Sequence, residues 1–224
     1  MTLSPRAVIC DFDYTLADSS LGVIACVNGA LTELGFASEP DERIRRTIGM
    51  SLPATLVELK GPAAAPRAAE FHRRFMRHAD RVMVDSTVLY PWVPDMVATL
   101  SAHGLELAIV STKYRQRIDG VLQREGLRRS LQVIVGGEDV VKQKPAPDAL
   151  LLAIRTLDLS AREVVYVGDS DADGGAASAA GIPFVAVLSG VTPREHLERY
   201  RPIAVLRNAG ELPALLGLNT STKA

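Results

Sequence analysis

Cys10-Asp11-Phe12-Asp13-Tyr14-Thr15-Leu16 follows directly on the apolar run Ala7-Val8-Ile9. That run is predicted to be a short buried strand, and side chains at i and i+2 of a strand point the same way. Asp11 and Asp13 therefore share one side of the strand exit. Carboxylates that close repel unless a cation or a shared proton relieves them. The pair thus points to a divalent metal or to acid/base work. Thr15 adds a hydroxyl two residues further on. By itself the stretch also reads as a strand closing in an Asx turn, because aspartate commonly ends strands. What lies downstream decides between the two.

From Leu105 onward, predicted strands and helices alternate. The strands are 105–110, 131–135, 163–167, 183–188 and 203–206, and the helices are 114–125, 147–157, 173–180, 192–199 and 208–216. Nearly continuous apolar strands separated by amphipathic helices imply a Rossmann-like α/β core, a parallel sheet covered on both faces. Residues 18 to 84 show only helical patterning. Leu21, Ile24, Val27, Leu31 and Leu34 make a stripe on the first helix, Ser38 is placed to cap a second, and 52–60 forms a third. A fourth helix is expected over 64–83, with Ala68, Phe71, Phe75 and Val82 inward. This divides the chain into a core of 1–16 and 85–224 and a small all-helical cap of 17–84, joined by two hinge strands. The tail 217–224 is polar and expected to fray.

Composition sets limits around this. The chain has 224 residues, 47% hydrophobic and 23% charged, with a net charge of -1. That balance suits an ordinary globular protein and gives no case for a nucleic-acid polymer or an anionic membrane as partner. The stretch Met1 to Arg6 has no apolar run typical of a signal peptide. Cys10 and Cys26 are the only cysteines. They are expected to be free thiols in a reducing cytoplasm, with Cys10 a small core residue. Monomer and homodimer both remain open.

Three more polar clusters fall after core strands, where open α/β sheets place their sites. They are Ser111-Thr112-Lys113, the loop Lys142-Gln143-Lys144-Pro145, and Gly168-Asp169-Ser170-Asp171-Ala172-Asp173. Singly, each has a plain reading as a helix cap, a solvated lysine or an acidic helix start. Together they bring a carboxylate metal site, a hydroxyl and a lysine to one sheet edge, which are the parts phosphoryl transfer requires.

With these motifs in order, the chain resembles the haloacid dehalogenase superfamily of phosphohydrolases over almost its whole length. Asp11-Phe12-Asp13-Tyr14-Thr15 looks like the first motif, Ser111 the second, Lys144 the third, and the Gly168 to Asp173 run the fourth. The helical insertion resembles the cap of the phosphoglycolate phosphatase-like subgroup, as do Ser189-Gly190-Val191-Thr192 and Ala177 to Gly181. Tyr14 departs from the glycine usual there, so a bulky side chain is expected at the hinge, narrowing the entrance.

The resemblance implies a mechanism. Asp11 would attack phosphorus and form an aspartyl-phosphate, and Asp13 would act as acid and then base. Mg²⁺ would be held by Asp11, the Asp13 carbonyl and Asp169, with Asp173 holding a metal-bound water or Lys144. Ser111 and Lys144 would clamp phosphate oxygens. Backbone N–H groups of Phe12 and Thr112, the Thr15 hydroxyl, and Gly49 and Ser51 in the cap would contact a small phosphorylated metabolite.

Rival chemistries fit less well. A phosphonoacetaldehyde hydrolase needs a cap lysine where Leu52 stands, and it lacks the second aspartate. A β-phosphoglucomutase-like mutase carries a cap arginine where Ile48 stands, a pyrophosphatase remains open, and a dehalogenase has no need of Asp13. A phospho-signalling receiver domain is short, has no cap, and puts its acceptor on a later strand. The cap arginines 43, 45, 46, 67, 73, 74, 77 and 81 read first as a solvated, ion-paired face, with His72 and His78 beside them on the surface.

Overall fold

The computed structural model describes residues 4–218. Residues 219–224 of the predicted fraying tail lie outside them. In chain order the first elements are β1 (Ala7–Cys10), β2 (Ala17–Asp18), α1 (Ser20–Glu33), α2 (Asp41–Arg45), α3 (Leu52–Lys60), α4 (Ala68–Val82) and β3 (Val88–Leu89). There follow α5 (Val93–Ala102), β4 (Glu106–Val110), α6 (Arg115–Arg124), β5 (Val133–Val135), α7 (Asp148–Thr156) and β6 (Val164–Gly168). The last are α8 (Asp171–Ala180), β7 (Phe184–Val187), α9 (Arg194–Glu198), β8 (Ala204–Leu206) and α10 (Leu212–Leu215).

Six strands form one sheet in the order β5-β4-β1-β6-β7-β8, every pairing parallel. β1 is apolar at all four positions because it lies mid-sheet with both faces covered. Val8 and Cys10 pack with α5 and α6 residues such as Val97, Leu100 and Ile118, whereas Ala7 and Ile9 pack with α7 and α8 residues such as Leu150, Ala153 and Ala176. This strand alternation splits one core into two layers. Burial pushes the Cys10 thiol up to about 12, as befits a small core side chain.

The helices between β1 and β3 gather round a third apolar cluster, including Ile24, Val27, Leu31, Leu56, Phe71 and Phe75. The chain enters and leaves this block through β2 and β3, which pair antiparallel at Ala17–Leu89 and Asp18–Val88. Two hinge strands were expected near 17 and 85, and β2 and β3 stand there, whereas helix α5 was passed over.

Other local expectations are corrected. Leu21 and Val82, predicted to face inward, are 68% and 38% exposed. Leu21 sits in the first turn of α1 and Val82 at the last residue of α4, beyond the packed middle of each helix. Ser38 does not cap α2; Pro40 is the N-cap residue, and α2 begins at Asp41. A 3₁₀ turn over Pro62–Arg67 precedes α4, since Pro66 has no N–H for the α-helical ladder. Among the described residues, no helix is long and apolar enough to cross a membrane.

Candidate active site

The site lies at the carboxyl ends of β1, β4 and β6. The Asp11 N–H donates to the Val167 carbonyl at 2.8 Å, and the Ser111 N–H to the Val135 carbonyl at 3.0 Å. These bonds carry the sheet one residue past β1 and β4 and fix where the two side chains start. Asp169 follows the last residue of β6 directly. Asp173 then falls in the first turn of α8, where the helix dipole favours an acid. Ser170 caps that helix reciprocally: its hydroxyl accepts from the Asp173 N–H, and the Asp173 carboxylate accepts from the Ser170 N–H at 3.0 Å.

Asp11, Asp169 and Asp173 are buried, and one carboxylate oxygen from each lies within 4.8 Å of the others. The Lys144 Nζ, also buried, sits 2.8 Å from Asp11 Oδ1 and 2.5 Å from Asp173 Oδ1. Burial opposes the lysine's charge, yet Asp11 and Asp173 hold its pKa above the ordinary value. Asp173 is fully committed. It accepts from Lys144, from the Tyr166 hydroxyl at 2.6 Å, and from the Ser170 hydroxyl and N–H. Burial would raise its pKa, but Lys144 and these donors bring it below the ordinary carboxylate range.

Asp11 and Asp169 are in the opposite state. Burial pushes both carboxyls up; at Asp11 Lys144 offsets only part of that, and at Asp169 the nearby Asp173 and Asp11 push further the same way. Two buried carboxylates short of positive charge suit a hard divalent cation with oxygen ligands. The residues therefore fit a metal, which Asp11 and Asp169 would hold while Asp173 engages Lys144.

Several predicted residues have other placements. The Thr15 hydroxyl donates to Asp169 Oδ1 at 3.0 Å, so it orients an acid. The Phe12 side chain is buried in the sheet core, leaving its backbone alone to face the site. The Thr112 hydroxyl donates to the Gly49 carbonyl at 3.3 Å, joining core and helical block. Gly49 has φ +95, where glycine is at ease, and Ser51 caps α3 by accepting from the Ala54 N–H. The buried Ser111 hydroxyl accepts from the Lys113 N–H at 3.3 Å. Asp13 stays outside the acid cluster; its Oδ1 accepts from the Ser19 hydroxyl at 2.7 Å and lies 3.1 Å from the Lys113 Nζ.

Tyr14 does not narrow the entrance. It is buried and lines neither cavity beside the site. Its φ is +62, a left-handed conformation that costs a non-glycine residue about 1 kcal/mol. The Ser189 hydroxyl donates to its carbonyl at 2.6 Å and helps hold the turn.

Sequence reasoning passed over Lys113, Tyr166 and the packing role of Gly190. A Cβ on Gly190 would collide with the Asp169 carboxylate, so only glycine lets that acid keep its place. Tyr166 carried a faint signal, a polar tip inside the apolar strand Val164-Val165-Tyr166-Val167. Five of the eight arginines of the helical block are ion-paired as expected, among them Arg67 and Arg74 with Glu70 at 2.8 and 2.5 Å and Arg77 with Glu33 at 2.6 Å, while Arg45 donates to the Ser20 hydroxyl. His72, expected at the surface, instead pairs with the Tyr114 hydroxyl at 3.1 Å between block and core.

The family described as haloacid dehalogenase-like hydrolase matches residues 8–187. The chain belongs to that family. It is 30% identical to a phosphoglycolate phosphatase of Shigella dysenteriae, over 95% of this chain and 93% of the relative. A phosphoglycolate phosphatase of Salmonella typhimurium is 31% identical with the same coverage. In structure it is similar to a haloacid dehalogenase-like hydrolase from Bacteroides fragilis, with a TM-score of 0.90 and 37% identity. That likeness covers 93% of this chain and 100% of the other.

Proposed function

We propose that the chain is a Mg²⁺-dependent phosphatase that hydrolyses a small phosphate monoester through an aspartyl-phosphate. The observation that carries this reading is the buried Asp11 carboxylate, held 2.8 Å from Lys144 beside the under-neutralised Asp169. The phosphoglycolate phosphatases among its relatives agree with it.

Each residue's task follows from its place. An Asp11 oxygen attacks phosphorus, and the bond from phosphorus to the ester oxygen breaks. Asp13 gives its proton to that departing oxygen. It then takes a proton from the water that hydrolyses the acyl phosphate, which restores Asp11 and releases inorganic phosphate. Ser111 and Lys144 hold the phosphoryl oxygens, aided by backbone N–H groups of Phe12 and Thr112. Lys144 also offsets the charge of Asp11. A bound magnesium ion supplies electrostatic stabilisation of the phosphoryl charge and relieves the repulsion between Asp11 and Asp169.

Residues 17–84 serve in this account as a cap that closes over the substrate and excludes water, swinging on the two-stranded ribbon. The enzyme is placed in the cytoplasm, in keeping with two buried cysteines that form no disulfide. Its partner is a small phosphorylated metabolite.

Phosphate release from a panel of small phosphate esters tests the reading. Excess chelator should abolish release, Mg²⁺ should restore it, and Ca²⁺ should inhibit, because its looser coordination misplaces the attacking oxygen. Full activity in chelator contradicts the proposed metal dependence.

A further inference from the structure

A cavity of about 90 Å³ lies between the helical block and the core, and Asp13 is in its wall. In the phosphatase reading Asp13 protonates the departing oxygen, which sets this cavity beside the leaving group. Pockets for drug-sized ligands run to about 300–1,000 Å³, so this smaller cavity suits a short leaving group. Most of the wall is apolar, with Val27, Ile48, Leu52 and Phe75 among its residues.

Two cations stand in that wall, Lys113 and Arg117. Lys113 is already matched by Asp13 at 3.1 Å. Arg117 is different. Its side chain is 6% exposed, and among the described residues its only acid within ion-pair distance is Asp80, at 2.7 Å from Nη2 and itself 54% exposed. Water screens much of that partner's charge. The Arg117 Nε is buried and has no hydrogen-bond partner among the described residues. The Tyr114 ring lies 5.4 Å from the guanidinium and steadies its plane. His72, also in the wall, adds no competing cation, since burial and Arg117 keep its pKa below the ordinary value. A buried guanidinium with a spare N–H beside a small cavity wants an anion.

We propose that Arg117 selects substrates whose leaving group is short and negatively charged, by donating to that anion inside this cavity. The proposal rests on the phosphatase reading and narrows it: a carboxylate or a second phosphate fits, and a neutral group of equal size leaves the guanidinium unpaired. The rival role for Arg117 is a simple latch, since its bond to Asp80 ties α6 of the core to α4 of the helical block.

The test compares kcat/KM of the full chain with Mg²⁺ for 2-phosphoglycolate, inorganic pyrophosphate and neutral 2-hydroxyethyl phosphate. The wild type should favour at least one anionic substrate over the neutral one by about 100-fold or more. Arg117→Met should bring that ratio to within about fivefold of unity, while Asp80→Asn, which breaks the latch but keeps the guanidinium, should retain it. Loss of the phosphoglycolate ratio alone names a carboxylate as the anion read, and loss of the pyrophosphate ratio alone names a phosphate. If Arg117→Met does not fold, Arg117→Lys stands in, and its ratio should fall about tenfold because the planar fork is gone. A ratio that survives at position 117, or that falls equally in Asp80→Asn, overturns the proposal. So does a wild type that shows no preference while turning all three over. Turnover of none of the three defeats instead the phosphatase reading beneath it.

Discussion

Lys144→Met should cost the protein both its activity and a large part of its stability. The lysine is fully buried and is the only cation within ion-pair distance of Asp11 and Asp173 among the described residues. Methionine matches its length and fills its space, so packing changes little. What remains is a set of buried carboxylates with no positive charge, and removing one partner of a buried ion pair costs about 3–5 kcal/mol. For a chain of this size that is a fall in melting temperature of about 10 °C, read by thermal unfolding in chelator. Turnover should fall by about 10³ or more, because a charge aimed at the phosphoryl oxygens is gone as well. An unchanged melting temperature would mean that Lys144 is not the counter-charge of this cluster.

Asp11→Asn should separate chemistry from folding. Asparagine keeps the shape but is a very poor nucleophile, so kcat should fall by a factor on the order of 10⁵. Stability should move the other way. The fold holds the Asp11 carboxyl above its ordinary pKa because burial disfavours its charge. A raised acid pKa means that the ionised form costs folding energy at neutral pH, and a neutral side chain removes that cost. In chelator the variant should therefore melt no lower than the wild type. An active variant would exclude Asp11 as nucleophile, and a much less stable one would show that its charge supports the fold.

The sheet and the acids were legible in the sequence for the same reason. Strand runs such as Val164-Val165-Tyr166-Val167 and Ala7-Val8-Ile9 announce two covered faces, and a polar residue directly after such a run must sit at the sheet edge. Asp11, Ser111 and Asp169 are all placed that way. Lys113, Arg117 and Gly190 were not legible, because their roles exist only across elements. Lys113 meets Asp13 from the loop after β4, Arg117 faces a helix of the other block, and Gly190 makes room for a carboxylate 21 positions earlier in the chain. Leu21 and Val82 show the limit of periodicity: it gives the face of a helix but not how far along it a neighbour reaches. Thr15 shows another limit, since a hydroxyl near a site gives no sign of whether it will meet substrate or orient an acid.

The most direct test of the account is the covalent intermediate, trapped in Asp13→Ala. The Asp13 side chain stands outside the acid cluster, beside Ser19 and Lys113, so its loss leaves the nucleophile and its lysine in place. With acetyl phosphate the leaving acetate is small and needs no proton, so attack by Asp11 should proceed. Water attack on the acyl phosphate still needs a base, and that step should slow by a factor on the order of 10²–10⁴. In a single-turnover reaction with Mg²⁺, intact mass should therefore show a phosphate adduct that builds up, and peptide mapping should place it on Asp11. An inactive variant with no adduct, or an adduct on any other residue, would contradict the assignment of Asp11 as nucleophile and Asp13 as acid and base.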